Sequence, residues 1–154
     1  MREWGYINGR MLDLFFRILT GLWAAIILVG SCTSDPQLFI YNQYVNFDFQ
    51  SAVNFRDLFI ISDFQLTSTF FLFQKIGHFA GFAFLFFFLF NWIKTYRVTI
   101  VLCVIFALLT EVLQLYFNRN GRFYDVAIDT TGMVAGYLMC HYFYTKATLK
   151  KNIV

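Results

Sequence analysis

Charge is scarce in this chain, at 14% of its 154 residues, against about 25% in soluble domains. Proline is almost absent; Pro36 is the only one, so long helices can run without the kinks that proline imposes. Only three cysteines occur, Cys32, Cys103 and Cys140. On the helices read below they fall at unequal depths. That argues against a disulfide framework or a paired-cysteine metal site and makes Cys103 and Cys140 small core residues. The sequence also lacks a Gly-rich phosphate loop, a nucleophile-elbow pattern, internal repeats and low-complexity tracts. The net charge of +3 is modest, and no basic strip with interleaved aromatics lies outside the apolar runs, so nucleic acid is not an expected partner.

What the chain has instead is hydrophobic length. Hydrophobic residues make up 59% of it, and the mean hydropathy is +0.60. Four mostly apolar runs stand at about 12–32, 72–93, 98–117 and 126–144. Each approaches the roughly 20 residues needed to cross a bilayer core of about 30 Å. Membrane strands would alternate polar and apolar positions, and "FAFLFFFLFNWI" at 82–93 does not. The expected fold is therefore all-α, a polytopic bundle of four transmembrane helices forming a single domain over 1–154.

Basic residues favour the cytoplasmic side of a membrane. With both termini inside, Arg2, Arg10, Arg17, Lys94, Arg97, Lys146, Lys150 and Lys151 lie there, most of the chain's 12. Glu3 and Asp13 are then the inner acidic residues, and "TKATLKK" is a basic cytoplasmic tail. The first run ends in "LVGSCTSDP". This leaves a second reading open, in which residues 1–31 are removed as a lipoprotein signal and Cys32 is acylated. Against it, the leading region is long for a signal peptide and contains Asp13 and Arg17.

The one long connection, 33–70, mixes Phe, Tyr and Ile with Asn, Asp and Gln. It is too apolar for a disordered linker and lacks an uninterrupted run that could span. Two readings fit it: a segment lying in the membrane interface, or a cap over a site, since long loops are often functional lids.

The polar residues on the spans fall at one end. Lys75 and His78, Glu111 and Gln114, and Asp125 and Asp129 are three or four apart, so each pair shares a helix face. The short turn "NRNGR" at 118–122 makes the third and fourth spans antiparallel neighbours. Glu111 then lies about 9 Å inside the helix end, and Asp129 about 6 Å deeper than Asp125. Lys75, His78, Glu111, Gln114, Arg119, Arg122, Asp125 and Asp129 are therefore expected in one outer layer, drawn from three spans. The plain alternative is an ion-pair network that fixes packing. The functional reading rests on the cost of intramembrane charge and on two arginines suited to gripping phosphate. His141, alone near the opposite end, is read as a packing residue. A Mg²⁺ or Ca²⁺ site on these carboxylates and His78 is not expected, because the neighbouring arginines would repel the ion.

These residues resemble a known family. "KIGHF" at 75–79 and "TEVLQLYFNRNGRFYDVAIDTTG" at 110–132, with the helices around them, resemble the VanZ-like family of bacterial membrane proteins. The likeness covers about 70–143. The family's histidine maps onto His78, and its acidic, glutamine, arginine and aspartate positions map onto Glu111, Gln114, Arg122 and Asp125. Asp129 stands where many relatives have asparagine. The resemblance implies a four-span protein of the bacterial cytoplasmic membrane and a link to resistance to the glycopeptide teicoplanin, with no settled reaction; no cofactor is expected. Two functions follow as expectations. In one, the outer layer binds an anionic lipid or lipid-linked envelope precursor. In the other, a membrane-embedded enzyme acts on such a headgroup, with His78 or Glu111 as the acid–base group.

Overall fold

The computed structural model describes residues 2–65 and 67–153, with side chains over 10–65 and 67–146. Among them are five α-helices: α1 (Arg2–Cys32), α2 (Pro36–Asn42), α3 (Thr69–Ile93), α4 (Tyr96–Tyr116) and α5 (Phe123–Ile153). A short 3₁₀ helix (Phe55–Phe59) lies between α2 and α3, and the described residues contain no strand. The side chains of Arg2, Glu3, Lys150 and Lys151, used above for the orientation, lie outside the described residues.

Local chemistry sets the helix ends. The Asp35 carboxylate accepts hydrogen bonds from the Gln37 and Leu38 amides, with Pro36 opening α2. The Ser68 hydroxyl accepts one from the Phe71 amide at the start of α3. α3 closes on Lys94, whose left-handed backbone (φ 59°) lets its amide bond back to the Phe90 carbonyl. Only Lys94 and Thr95 separate α3 from α4, so the two run antiparallel.

α3 is the central element. Phe82, Leu85, Phe86, Leu89 and Phe90 on it are buried against Cys103 and Ala107 of α4 and Met133 and Cys140 of α5. α5 lies parallel to α3: Asp125 meets Lys75, Asp129 meets His78, and Gly132 and Gly136 sit on the backbones of Phe79 and Ala83. α1 crosses the other side of α3 in the antiparallel sense, with Phe16 against Phe87 and Trp23 against Phe84 and Phe88. The Trp23 indole donates a 2.8 Å hydrogen bond to the Gly81 carbonyl. The opposite face of α1 exposes Leu14, Phe15, Ile18, Leu22 and Ile26, a stripe that suits lipid rather than water.

Among the described residues, three helices are long and apolar enough to cross a membrane: Arg10–Cys32, Thr69–Ile93 and Tyr96–Tyr116. The fourth expected span is a helix too, but not one of these three. Asp125 and Asp129 near its start and the polar residues after Phe143 dilute the apolar stretch of α5. α1 and α5, each of 31 residues, are also longer than the apolar runs that announced them. Helical hydrogen bonding continues past the ends of a run, whereas hydropathy marks only the apolar part. Cys32, Cys103 and Cys140 are free and buried.

Candidate functional site

The eight polar residues singled out in the sequence lie at one end of the bundle, where the α4–α5 turn meets the start of α3. The Lys75 ammonium sits 2.6 Å and 2.7 Å from the two oxygens of the Asp125 carboxylate, over the rings of Phe71 and Tyr124. His78 Nδ1 lies 3.0 Å from Asp129 Oδ1 and 3.9 Å from Glu111 Oε1. Glu111, Gln114, Asp125 and Asp129 are all buried. Three helices that diverge in sequence thus bring their ionisable groups together, as the spacing predicts.

Glu111 is held from two sides. The Gln114 amide donates to Oε1 at 3.1 Å, and the backbone amide of Arg122 donates to Oε2 at 2.8 Å. The turn can approach this closely because residue 121 is glycine: a Cβ there would collide with the Glu111 carbonyl. Asn118 takes a positive φ of 53° to begin the reversal, a conformation that asparagine tolerates. Asp129 Oδ2, in contrast, is buried without a hydrogen-bond partner among the described residues. Thr110 and Thr130 donate to the carbonyls of Ala107 and Val126 in their own helices, the behaviour of packing residues. His141 is exposed and stacks on Tyr137.

The two arginines do not face outward with free guanidiniums. Arg122 is buried; its Nε donates to Asp63 Oδ2 at 2.7 Å, and its Nη1 to the carbonyls of Asp57 and Gly121. Arg119 reaches across to the end of α1, where Nη1 donates to the carbonyls of Gly30, Ser31 and Thr33 at 2.6, 3.2 and 3.3 Å. Those carbonyls end a helix and have no intrahelical donor. Burial lowers the Arg119 pKa from its usual value, against the pull of Glu111 and Asp125, but a guanidinium keeps its proton in proteins.

Sequence reasoning missed Asp63, Asp57 and Asp48. All three lie in the long connection, which folds over the polar end rather than away from it. Tyr124 donates to Asp63 Oδ1, Asn118 donates to Asp48, and the Gln50 side chain donates to the Leu115 carbonyl. Leu58 is buried beneath the 3₁₀ helix. Only the uneven mixture of acidic and aromatic residues in 33–70 hinted at this role. Replacing Asp63 with alanine should strand the Arg122 guanidinium, at a cost of about 2 kcal/mol. Hydrogen exchange over 54–63 should then speed up roughly tenfold or more, while α3 and α4 keep their protection. Unchanged exchange would mean that Arg122 does not anchor the segment.

Two cavities adjoin this layer. One, of about 390 Å³, lies between α1, α2 and α3; its wall is mostly apolar, including Trp23, Ile27, Phe39 and Phe73, but takes in His78 and Arg119. The other, of about 340 Å³, is lined by polar groups that include Asp63, Gln65, Asn118 and Tyr124. Pro36, Gln74 and Arg119 belong to both walls.

A family model described as VanZ/LLP1 matches residues 16–144. Over 117 residues the chain is 34% identical to the "Uncharacterized membrane protein YwnJ" of Bacillus subtilis (strain 168), covering 76% of this chain and 84% of that protein. No solved structure gives a significant match. The matched region contains every residue of the polar layer, all of α3 and α4 and most of α5, and the chain belongs to the VanZ/LLP1 family.

Proposed function

We propose that this membrane protein binds an anionic amphiphile, a membrane lipid or a lipid-linked cell-envelope precursor, at the extracytoplasmic end of its bundle. In this reading α5 is the fourth span, both termini are cytoplasmic, and the polar layer faces the outer leaflet. The observation that carries it is the pair of adjoining cavities, one apolar between the helices and one polar beside it, with Arg119 in both walls. An amphiphile needs that juxtaposition: an apolar slot for its chain and a cationic, hydrogen-bonding rim for its head. Their volumes fall in the range of ligand pockets, about 300–1,000 Å³. Arg119, Gln74 and His78 are the contacts for the head, while Arg122 holds the covering segment in place. Sequestering an envelope precursor in this way is a route to altered sensitivity to teicoplanin-type glycopeptides.

Gly77 supplies a clean test. It lines the apolar cavity, and a Cβ added there meets nothing within 4 Å. Gly77→Leu should fill the slot without disturbing the bundle. Native mass spectrometry should find anionic phospholipid or polyprenyl phosphate on the wild-type chain and at least tenfold less on the variant. Cells carrying the variant should have the glycopeptide sensitivity of cells lacking the protein. Equal lipid retention by both chains would overturn the reading.

A second reading is a membrane-embedded enzyme. It is favoured by the 3.0 Å contact of His78, a residue of the cavity wall, with Asp129, since a histidine oriented by a carboxylate is the usual form of a general base. His78→Gln that retained lipid but lost turnover of the bound headgroup would select it over simple binding.

A further inference from the structure

We infer that His78, Glu111 and Asp129 form a binding site for a divalent transition-metal ion of the Zn²⁺ or Mn²⁺ kind. One donor atom from each of these three residues lies within 4.8 Å of the other two. Around an ion with bonds of about 2.1 Å, tetrahedral neighbours stand about 3.4 Å apart. The His78 Nδ1 separations of 3.0 Å to Asp129 and 3.9 Å to Glu111 bracket that spacing.

The charge balance points the same way. Each cationic neighbour is already engaged away from the three donors: Lys75 by Asp125, Arg122 by Asp63, and Arg119 by carbonyls at the end of α1. The arginines that would have repelled an ion are thus turned elsewhere. Among the described residues, Glu111 receives only neutral donors besides the histidine, the Gln114 amide and the Arg122 backbone amide. Two carboxylates with a neutral imidazole carry a charge of −2, which a divalent ion cancels. The fully buried Asp129 also keeps Oδ2 without a hydrogen-bond partner among the described residues, although burying an unbonded carboxylate oxygen is costly. An ion held by both oxygens of the Asp129 carboxylate would satisfy it.

The donor set narrows the choice of ion. An imidazole with two carboxylates suits borderline transition metals, whereas Mg²⁺ and Ca²⁺ favour oxygen throughout. Three protein ligands leave a coordination position for water or a ligand, and His78 is in the wall of the apolar cavity. Gln114 and the residue 122 amide, which hold Glu111 in place, are the kind of outer partners that orient metal ligands. In this arrangement His78 and Asp129 are co-ligands rather than a proton relay. The site does not depend on a lipid being bound.

The test uses the full chain, purified in detergent without a metal-affinity tag and stripped with EDTA. Dialysis against Co²⁺ should give one ion per chain with a visible d–d absorption band, and Zn²⁺ should displace the band and raise Tm. Gln114→Leu, which removes no ligand, should weaken Co²⁺ binding about 10- to 100-fold. His78→Ala and Asp129→Asn should weaken it at least as much, while His141→Ala should bind as wild type does. A wild-type chain with no band and an unmoved Tm overturns the site. So does a band that survives in the His78→Ala/Asp129→Asn double variant.

Discussion

Gly132→Leu should prevent the bundle from assembling. A Cβ at this position collides with the Phe79 backbone carbonyl of α3. Backbone in the middle of a helix cannot move aside as a flexible side chain can, so α5 must lift away. Overpacking a core by a methylene or two typically costs about 1–3 kcal/mol, and here the whole branched side chain must be accommodated. The damage spreads because the same helix contact positions Asp129 against His78 and Asp125 against Lys75. The expected result is loss of the monodisperse peak in detergent, or a fall in Tm of more than about 10 °C by the usual scaling for a chain of this size. Gly21→Leu is the control, since nothing lies within 4 Å of a Cβ there, and it should behave as wild type. A normally folded Gly132→Leu chain would show that the close α3–α5 approach is dispensable. Small residues at this interface fit the general rule that membrane helices associate through close backbone packing.

Asp125→Asn should be the most damaging single loss of charge. It leaves the Lys75 ammonium, only 12% exposed, without its counter-ion. Breaking a buried pair by removing one partner costs about 3–5 kcal/mol, whereas removing both can be nearly neutral. Lys75→Met in the Asp125→Asn background should therefore restore much of the stability. In a double-mutant cycle followed by detergent denaturation, the coupling should be about 2 kcal/mol, within the usual range for contacting charges. Additive effects of the two substitutions would mean that Lys75 escapes to the membrane surface when unpaired and that the pair does not hold α3 to α5.

Much of this was legible in the sequence, for reasons that differ by element. α3 and α4 were readable because their apolar runs are long and unbroken, and the two-residue link between them admits only an antiparallel return. The polar layer was readable because a spacing of three or four residues places Lys75 with His78, Glu111 with Gln114, and Asp125 with Asp129, whatever the tertiary details. The orientation of the arginines was not readable. A guanidinium at a turn has many donors and a long reach, and its partners, Asp63 and the carbonyls at 30–33, lie 59 to 89 residues away. No local pattern specifies such contacts. Nor did hydropathy reveal α2 and the 3₁₀ helix. Their stability comes from caps such as Asp35 and Asn54 and from docking onto the bundle rather than from a run of apolar residues.

The clasp of Arg119 and Arg122 on earlier parts of the chain imposes an order on biogenesis. Asp63 leaves the ribosome 59 residues before Arg122. At synthesis rates of roughly 5–20 residues per second, that gap lasts on the order of 3–12 s. Throughout it, Asp63 has been made but the arginine that holds it has not. The end of α1 likewise waits for Arg119 to satisfy its carbonyls. The nascent chain therefore passes through a stage in which α1, α3 and α4 are made and the covering segment still lacks its arginine anchors, which arrive only with the α4–α5 turn.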